Sequence, residues 1–413
     1  MVEQSSAPAH GRGDERAAPS EAFITAIRRR FPVEDEIDRV MTRKMRARTG
    51  PAYSAIPLAR LAQGTQALIR FQSDAHATLS NARWLHGGAS KLQMAFDLDW
   101  CGGDGGARRT TPMVLRMEPP EAIVETSRRR EFEMLALMSD TVPVPPCYWL
   151  DADAAYLPHP AIIYGYVAGV SKPAAARTRQ VTGVGTNFGP GLRAPLATQF
   201  INALAAIHTV PAERLAALRA FEPATVGSNT SIVRQVHWWR RVWEEDRPED
   251  LPLVNVATHW LLEHAPALDH VSVVHGDFRA GNFLFSEATV QVTAWLDWEL
   301  AVLGDRHQDL AWASSPHFGH FAEDGTTFLA SGLLPTPEFL ERYEQCSGLC
   351  VDVERLRYFR IFNDFTTTVH MLATAWRVAR YGKTHQDVLV AWLAMIGHLA
   401  LAQLRHNLAE VLK

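Results

Sequence analysis

Apolar positions along the chain follow a helical period, then a strand period, then a helical period again. Ser20 is placed to cap a first short helix. Glu34 to Arg48 predicts a second, with Ile37, Val40, Met41 and Met45 on one face. Its acids lie at the start and its bases at the end, which suits the helix dipole, and Gly50-Pro51 ends it. A third helix is predicted over Leu58 to Gln72. These helices read as an extension packed on the main body, in preference to a basic helix on a membrane surface.

From Asn81 the pattern turns to strands: ARWLHGGASKLQMAFDLDW, the turn-forming GGDGG at 102–106, then TPMVLRMEPP. The turn Gly87-Gly88-Ala89-Ser90 can lay backbone amides over phosphates, because glycine permits close approach; taken alone it reads first as a plain hairpin turn. The next apolar strand holds one cation, Arg116, and a helix near Glu125 to Met138 contains Glu131. A strand cation steadied by a helix carboxylate can hold nucleotide phosphates, whereas taken alone both residues read as surface charge. After VPVPP, the strand AIIYGYVAGV suits a connector between lobes, with backbone groups of Tyr164, Tyr166 and Val167 open to an adenine edge. VTGVGTNFGP fails as a dinucleotide fingerprint, since Phe188 stands where the third glycine is required, and it reads as an ordered loop. Helices follow, including IVRQVHWWRRVWEEDR, whose Trp239 and Trp243 fall on one face and read as core. Val388 to Leu404 is apolar almost all round but short for a membrane span, which predicts a buried helix.

At 413 residues the chain exceeds what one hydrophobic core supports, so two lobes plus an extension are expected. A net charge of -4 gives no global field for nucleic acid or anionic membrane. The four cysteines offer no zinc spacing and read as free thiols in a reducing cytoplasm. The first residues lack the apolar core of a signal peptide and read as a disordered tail.

The chemistry concentrates between Val273 and Trp312. VSVV is a buried-strand run, HGDFRAGN a loop, and FLF the next strand. One loop can therefore present the Asp277 carboxylate to a substrate and the Asn282 amide oxygen to a metal. VTAWLDW then delivers Asp297, a hard anionic ligand for magnesium. Arg279 lies between them, able to neutralise charge on a transferring phosphoryl group. Asp305 and Asp309 read as capping and loop-bracing carboxylates, and His275 as a hydrogen-bonded structural residue.

HGDFRAGN followed by LDWELAVLGDRHQDLAW resembles the aminoglycoside phosphotransferase/choline kinase family of the protein-kinase-like superfamily. GGASK, MVLRM, REFEMLALM and YGYVAG extend the resemblance upstream, so that it covers roughly Asn81 to the C-terminus. It implies an α+β, two-lobed protein-kinase-like fold, with a small antiparallel-sheet N-lobe, a larger helical C-lobe, and ATP and Mg2+ in the cleft. Asp277 then resembles the catalytic base, Asn282 and Asp297 the magnesium ligands, and Glu131 the helix carboxylate. Arg279 matches a phosphate-contacting lysine of many protein kinases. Most members carry lysine where this chain has Arg116; an arginine there is similar to the kinase domains associated with some acyl-CoA dehydrogenases.

The expected layout is a disordered tail over 1–19, a helical extension over 20–75, a nucleotide-binding N-lobe over 76–167 and a catalytic, acceptor-binding C-lobe over 168–413. The expected reaction moves the ATP γ-phosphoryl group to a hydroxyl of a small molecule, with no nucleic-acid or membrane partner. A protein kinase is disfavoured, because only eleven residues separate Asp297 from Asp309. An antibiotic phosphotransferase, for a macrolide or an aminoglycoside, and a non-catalytic nucleotide-binding scaffold are the alternatives. Arg355, Arg357, Arg360, Arg377 and Arg380 suggest, if they line the pocket, a neutral or anionic acceptor such as a hydroxyacyl-CoA.

Overall fold

Period-two alternation fixes how the sheet is covered. In the computed structural model, which describes residues 14–85, 90–102, 107–174, 185–383 and 387–413, five antiparallel strands run in the order β1-β2-β3-β5-β4. They are β1 (Thr78–Trp84), β2 (Leu92–Trp100), β3 (Arg109–Met117), β4 (Cys147–Asp151) and β5 (Ala161–Gly165). Leu92, Met94, Phe96, Leu98 and Trp100 alternate along β2 and bury against one face of the sheet. There they join Leu61, Leu68 and Ile69 of helix α3 (Leu58–Gln72). Met113, Leu115 and Met117 of β3 point the same way, so Val114 and Arg116 point to the other face. Val114 shares that side with Met134 and Met138 of helix α4 (Arg128–Met138). The strand cation is thereby delivered to the face that α4 covers.

Upstream lie α1 (Glu21–Arg30) and α2 (Asp35–Ala47). Ser20 caps α1 by accepting from the Phe23 N–H at 3.1 Å. α2 buries Ile37, Val40, Met41 and Met45, the face expected from the sequence, and also Lys44. Residues 1–13 of the expected tail lie outside the described residues; at Arg16 the guanidinium donates to the Glu244 carbonyl at 2.8 Å.

The larger lobe is helical. It contains α5 (Pro190–His208) and the helices Thr230–Asp246, Val353–Val369 and Asp387–Val411, with a π-helical turn at His370–Ala375. Two short hairpin-like pairs sit at the cleft: β6 (Ser272–Val274) with β9 (Val302–Gly304), and β7 (Phe283–Phe285) with β8 (Val292–Trp295). Trp239 and Trp243 are core, as expected, with Trp238 stacked on Trp239. Phe188 stacks on Phe283 at 5.8 Å, which ties the end of the glycine-rich stretch to β7; residues 181–184 of that stretch lie outside the described residues.

The C-terminal helix corrects one expectation. Val390, Ala400, Leu404 and Leu408 are buried, but Trp392, Met395 and Leu399 are 38%, 54% and 54% exposed. Its neighbours cover one face only, and an apolar outer face is common enough at protein surfaces that composition alone does not predict burial. Among the described residues no helix is long and apolar enough to cross a membrane. All four cysteines are free thiols, three of them exposed. The two-lobed α+β protein-kinase-like architecture is the one the sequence implied.

Candidate active site

The loop after β6 is held from below by a carboxylate. Asp309, in the short helix His307–Ala313, accepts from the backbone N–H groups of His275 and Gly276 at 2.7 and 2.9 Å and lies 3.2 Å from His208 Nε2. His275 packs inward, its Nε2 2.9 Å from the Leu296 carbonyl. Asp305 is also a brace, accepting from the His307 backbone and from Arg355. Gly276 has φ +80, and a Cβ there would stand 2.6 Å from the Leu300 carbonyl, so only glycine allows the two loops this approach.

On this base the Asp277 carboxylate is oriented by three donors. Trp312 Nε1 reaches Oδ1 at 2.7 Å, Arg279 Nε reaches the same oxygen at 2.9 Å, and Asn282 Nδ2 reaches Oδ2 at 2.5 Å. Arg279 is further fixed over the Phe318 ring at 5.2 Å. Asn282 Nδ2 also donates to the Asp277 carbonyl at 2.9 Å. With its nitrogen so engaged, the Asn282 amide oxygen has no hydrogen bond among the described residues. The β7–β8 pairing brings Asn282 beside the second loop, where its carbonyl accepts from Leu296 N–H at 2.8 Å. Asp297 follows in a left-handed conformation, φ 61 and ψ 48, which turns its carboxylate out of the strand line.

The N-lobe contributes a buried charge cluster. Arg116 reaches Asp297 Oδ1 at 2.5 Å, Glu131 Oε1 at 3.4 Å and Glu299 Oε1 at 3.4 Å. Arg128 joins Glu118 at 2.8 Å, Glu299 at 2.9 Å and Glu131. Lys91 donates to Glu118 at 2.9 Å, Glu299 at 3.1 Å and the Val124 carbonyl at 3.1 Å. Burial opposes the Glu299 charge, yet Lys91, Arg116 and Arg128 hold its carboxyl well below the usual range. Burial likewise opposes the Arg116 charge, and Asp297 and Glu299 more than offset it.

The residues predicted from sequence fall as follows. Asp277, Arg279 and Asn282 share one loop and touch one another, and Arg116 joins Glu131 to Asp297. Gly87, Gly88 and Ala89 lie outside the described residues; Ser90 follows them, its buried Oγ without a partner among the described residues. Tyr164 pairs within the sheet with Val114 and Cys147, and its buried hydroxyl lies near the Arg116 charge. The Gly165 and Tyr166 amides are engaged by the Pro146 and Pro112 carbonyls, which leaves the Val167 peptide without a bond among the described residues. Tyr166 itself is 45% exposed.

Sequence reasoning missed Lys91, Glu118, Arg128, Glu299 and Trp312. For the four charged ones, charges at otherwise buried positions were the available signal, because ions leave water only when paired. Four of the five C-terminal arginines are already engaged within the fold. Arg355 pairs with Asp305, Arg357 with Glu354 and Arg377 with Glu121 and Asp246, while Arg380 lies over Trp376. These four answer structural needs at their own positions.

An amide oxygen and a carboxylate are hard donors that suit magnesium, which keeps waters and phosphates as its other ligands. Among the described residues no group of three or more His, Cys, Asp or Glu side chains could hold a metal ion unaided.

Comparison with known proteins gives the same family. A crystal structure of a candidate aminoglycoside phosphotransferase from Ralstonia eutropha JMP134 superposes with a TM-score of 0.60 at 20% identity, covering 84% of this chain and 98% of that one. Acyl-CoA dehydrogenase family member 11 of Gallus gallus is 31% identical over 140 residues, 32% of this chain and 18% of that protein. Its counterpart from Pongo abelii is 26% identical over 266 residues, 61% of this chain and 32% of that protein. The chain thus spans a third or less of the length of these relatives. Residues 103–357 match the sequence profile of the phosphotransferase enzyme family, APH, and with a loop carboxylate, its asparagine and a paired strand cation converging on one cleft, the chain belongs to that family.

Proposed function

We propose that this chain transfers the γ-phosphoryl group of ATP to a hydroxyl of a small molecule. The observation that carries the reading is the Asp277 carboxylate, held by Trp312, Arg279 and Asn282, with the Asn282 carbonyl bonded to the N–H of Leu296, the residue before Asp297. Residues 76–167 form the nucleotide-binding lobe in this reading, and 168–413 supply catalysis and the acceptor site. Asp277 Oδ2 keeps a lone pair for the acceptor hydroxyl, orients it and takes its proton as the new P–O bond forms. Arg279 lies where its charge can meet the phosphoryl oxygens. Asn282 and Asp297 would hold Mg2+, which supplies charge neutralisation on the phosphates. Arg116, steadied by Glu131, keeps Asp297 in position, and Ser90 and the Val167 peptide, without partners among the described residues, are groups for the phosphates and the adenine edge.

For the acceptor we favour a hydroxyacyl-CoA or another hydroxylated catabolic intermediate. The support is the set of relatives named for acyl-CoA dehydrogenases, which carry the matched segment within much longer chains. The test is ATP consumption across hydroxyacyl-CoAs, aromatic and sterol-like alcohols, macrolides and aminoglycosides. Activity on hydroxyacyl-CoAs is expected. Turnover of aminoglycosides or macrolides alone would refute the acceptor, and tight ATP binding without turnover on any alcohol would favour a non-catalytic scaffold.

A further inference from the structure

α2 lies outside the matched span 103–357, yet it touches the helix that carries Glu131. The first turn of α4 divides by helical phase. Arg128 and Glu131, three apart, face the cleft and meet Arg116, Glu118 and Glu299. Ser127 and Arg130, also three apart, face α2. The Ser127 hydroxyl caps α4 by accepting from the Arg130 N–H at 3.3 Å and donates to Glu36. Arg130 pairs with Glu34, donates to the Ala301 carbonyl at 3.2 Å and lies over Phe221. Glu34, Ser127 and Arg130 are all buried, so these contacts have no competing water.

The other end of α2 is fixed to the helical lobe. Lys44 pairs with Glu245 at 2.8 Å and Asp246 at 3.2 Å, and Arg48 with Asp246 at 2.6 Å. Arg241 returns the contact to Asp38 at 2.5 Å. Buried charges of this kind hold their elements in register, because separation strands an ion without water. α4 is therefore tied, through α2, to the larger lobe.

We propose that α2 is a positioning element for the nucleotide site: Glu34 and Glu36 set the first turn of α4 so that Glu131 meets Arg116 and, through it, Asp297. This rests on the phosphotransferase reading above. Full-length Glu34→Gln/Glu36→Gln is compared with Arg46→Ala, an exposed residue on the same helix whose ion pair among the described residues is with Glu21. MgATP affinity by titration calorimetry, the thermal midpoint and amide exchange across α4 are measured for each. The double variant should bind MgATP roughly tenfold more weakly, with faster exchange in α4, while Arg46→Ala stays within about twofold. In a Glu131→Gln background the same pair should add less than about twofold, since both changes act through one contact.

Unchanged affinity in the folded double variant would overturn the proposal, even if its melting point fell, and so would an undiminished loss in the Glu131→Gln background. If the double variant does not fold, Glu36→Gln alone is read by the same criteria. Failure of the wild-type chain to bind MgATP would sink the phosphotransferase reading instead. The coupling is then judged on α4 exchange, and unchanged protection would reject it.

Discussion

The two sides of the cleft are held by different forces. On the C-lobe side, Asp277 and Asn282 are fixed by hydrogen bonds within a loop and by donors at most 35 positions away, with the backbone prominent among them. On the N-lobe side, Lys91, Arg116 and Arg128 meet Glu118, Glu131, Asp297 and Glu299 in an ionic cluster, buried except at Asp297, whose members are up to 208 positions apart, from Lys91 to Glu299. A hydrogen-bonded loop tolerates the loss of one neutral donor. A buried ionic cluster does not tolerate the loss of a charge, since each removal strands its partners away from water. The first arrangement suits an atom that must meet substrate with fixed geometry, the second the registration of one lobe against the other.

The largest effect should come from the loop. Asp277→Asn is expected to lower turnover by about 100-fold or more while leaving ATP binding largely intact, read by steady-state kinetics beside equilibrium titration. Unchanged turnover would remove Asp277 as the base. Next, Arg116→Met leaves Glu131, Asp297 and Glu299 without a shared cation. A stability loss of about 3–5 kcal/mol in denaturant titration is expected, with weakened MgATP binding. Arg116→Lys should fall between, because one ammonium cannot span three carboxylates as a guanidinium does. Indifference to Arg116→Met would erase the distinction between the two sides.

Trp312→Phe sharpens the contrast from the other direction. It deletes one neutral donor to Asp277 and should reduce kcat by roughly tenfold, about 1–2 kcal/mol, with little change in nucleotide affinity or melting point. A collapse of stability comparable to Arg116→Met would show that the loop is no more tolerant than the cluster.

The smallest effect concerns a buried acid whose desolvation outweighs the nearby charge of Arg360. Burial pushes the Asp364 carboxyl up to about 7, with Asn407 donating to it at 2.7 Å. In the unfolded chain the group ionises near about 3.9. Between those values the folded state binds more protons, so stability should fall as pH rises from about 4 to about 7 and remain lower above. Asp364→Asn should flatten this decline and raise the melting point at pH 8 by roughly 2 °C. An identical pH profile in the variant would refute the assignment.

Legibility in the sequence followed the same division. The order strand, HGD, Asn, strand, Asp is local, and the structure gathers Asp277, Arg279 and Asn282 around one carboxylate. The α2 face was legible as well, because helical period and burial coincide at Ile37, Val40, Met41 and Met45. Glu299 was not: it follows Asp297 by two positions in LDWE and looks like surface charge until Lys91, Arg116 and Arg128 are seen around it. The arginines of the last helices show the opposite case: Arg355 and Arg377 pair with carboxylates far away in sequence, and only Arg357 answers a local one.

The sequence by itself determined the order of helices and strands, the α2 face and the order of the loop residues Asp277, Arg279 and Asn282, because period, turn chemistry and short-range spacing are properties of a continuous chain. Only the tertiary structure decided which charges pair, that α2 reaches both α4 and the larger lobe, and that the last helix leaves Trp392, Met395 and Leu399 outside. Ion pairing and burial depend on which distant segments share a volume, and period and local spacing do not encode that.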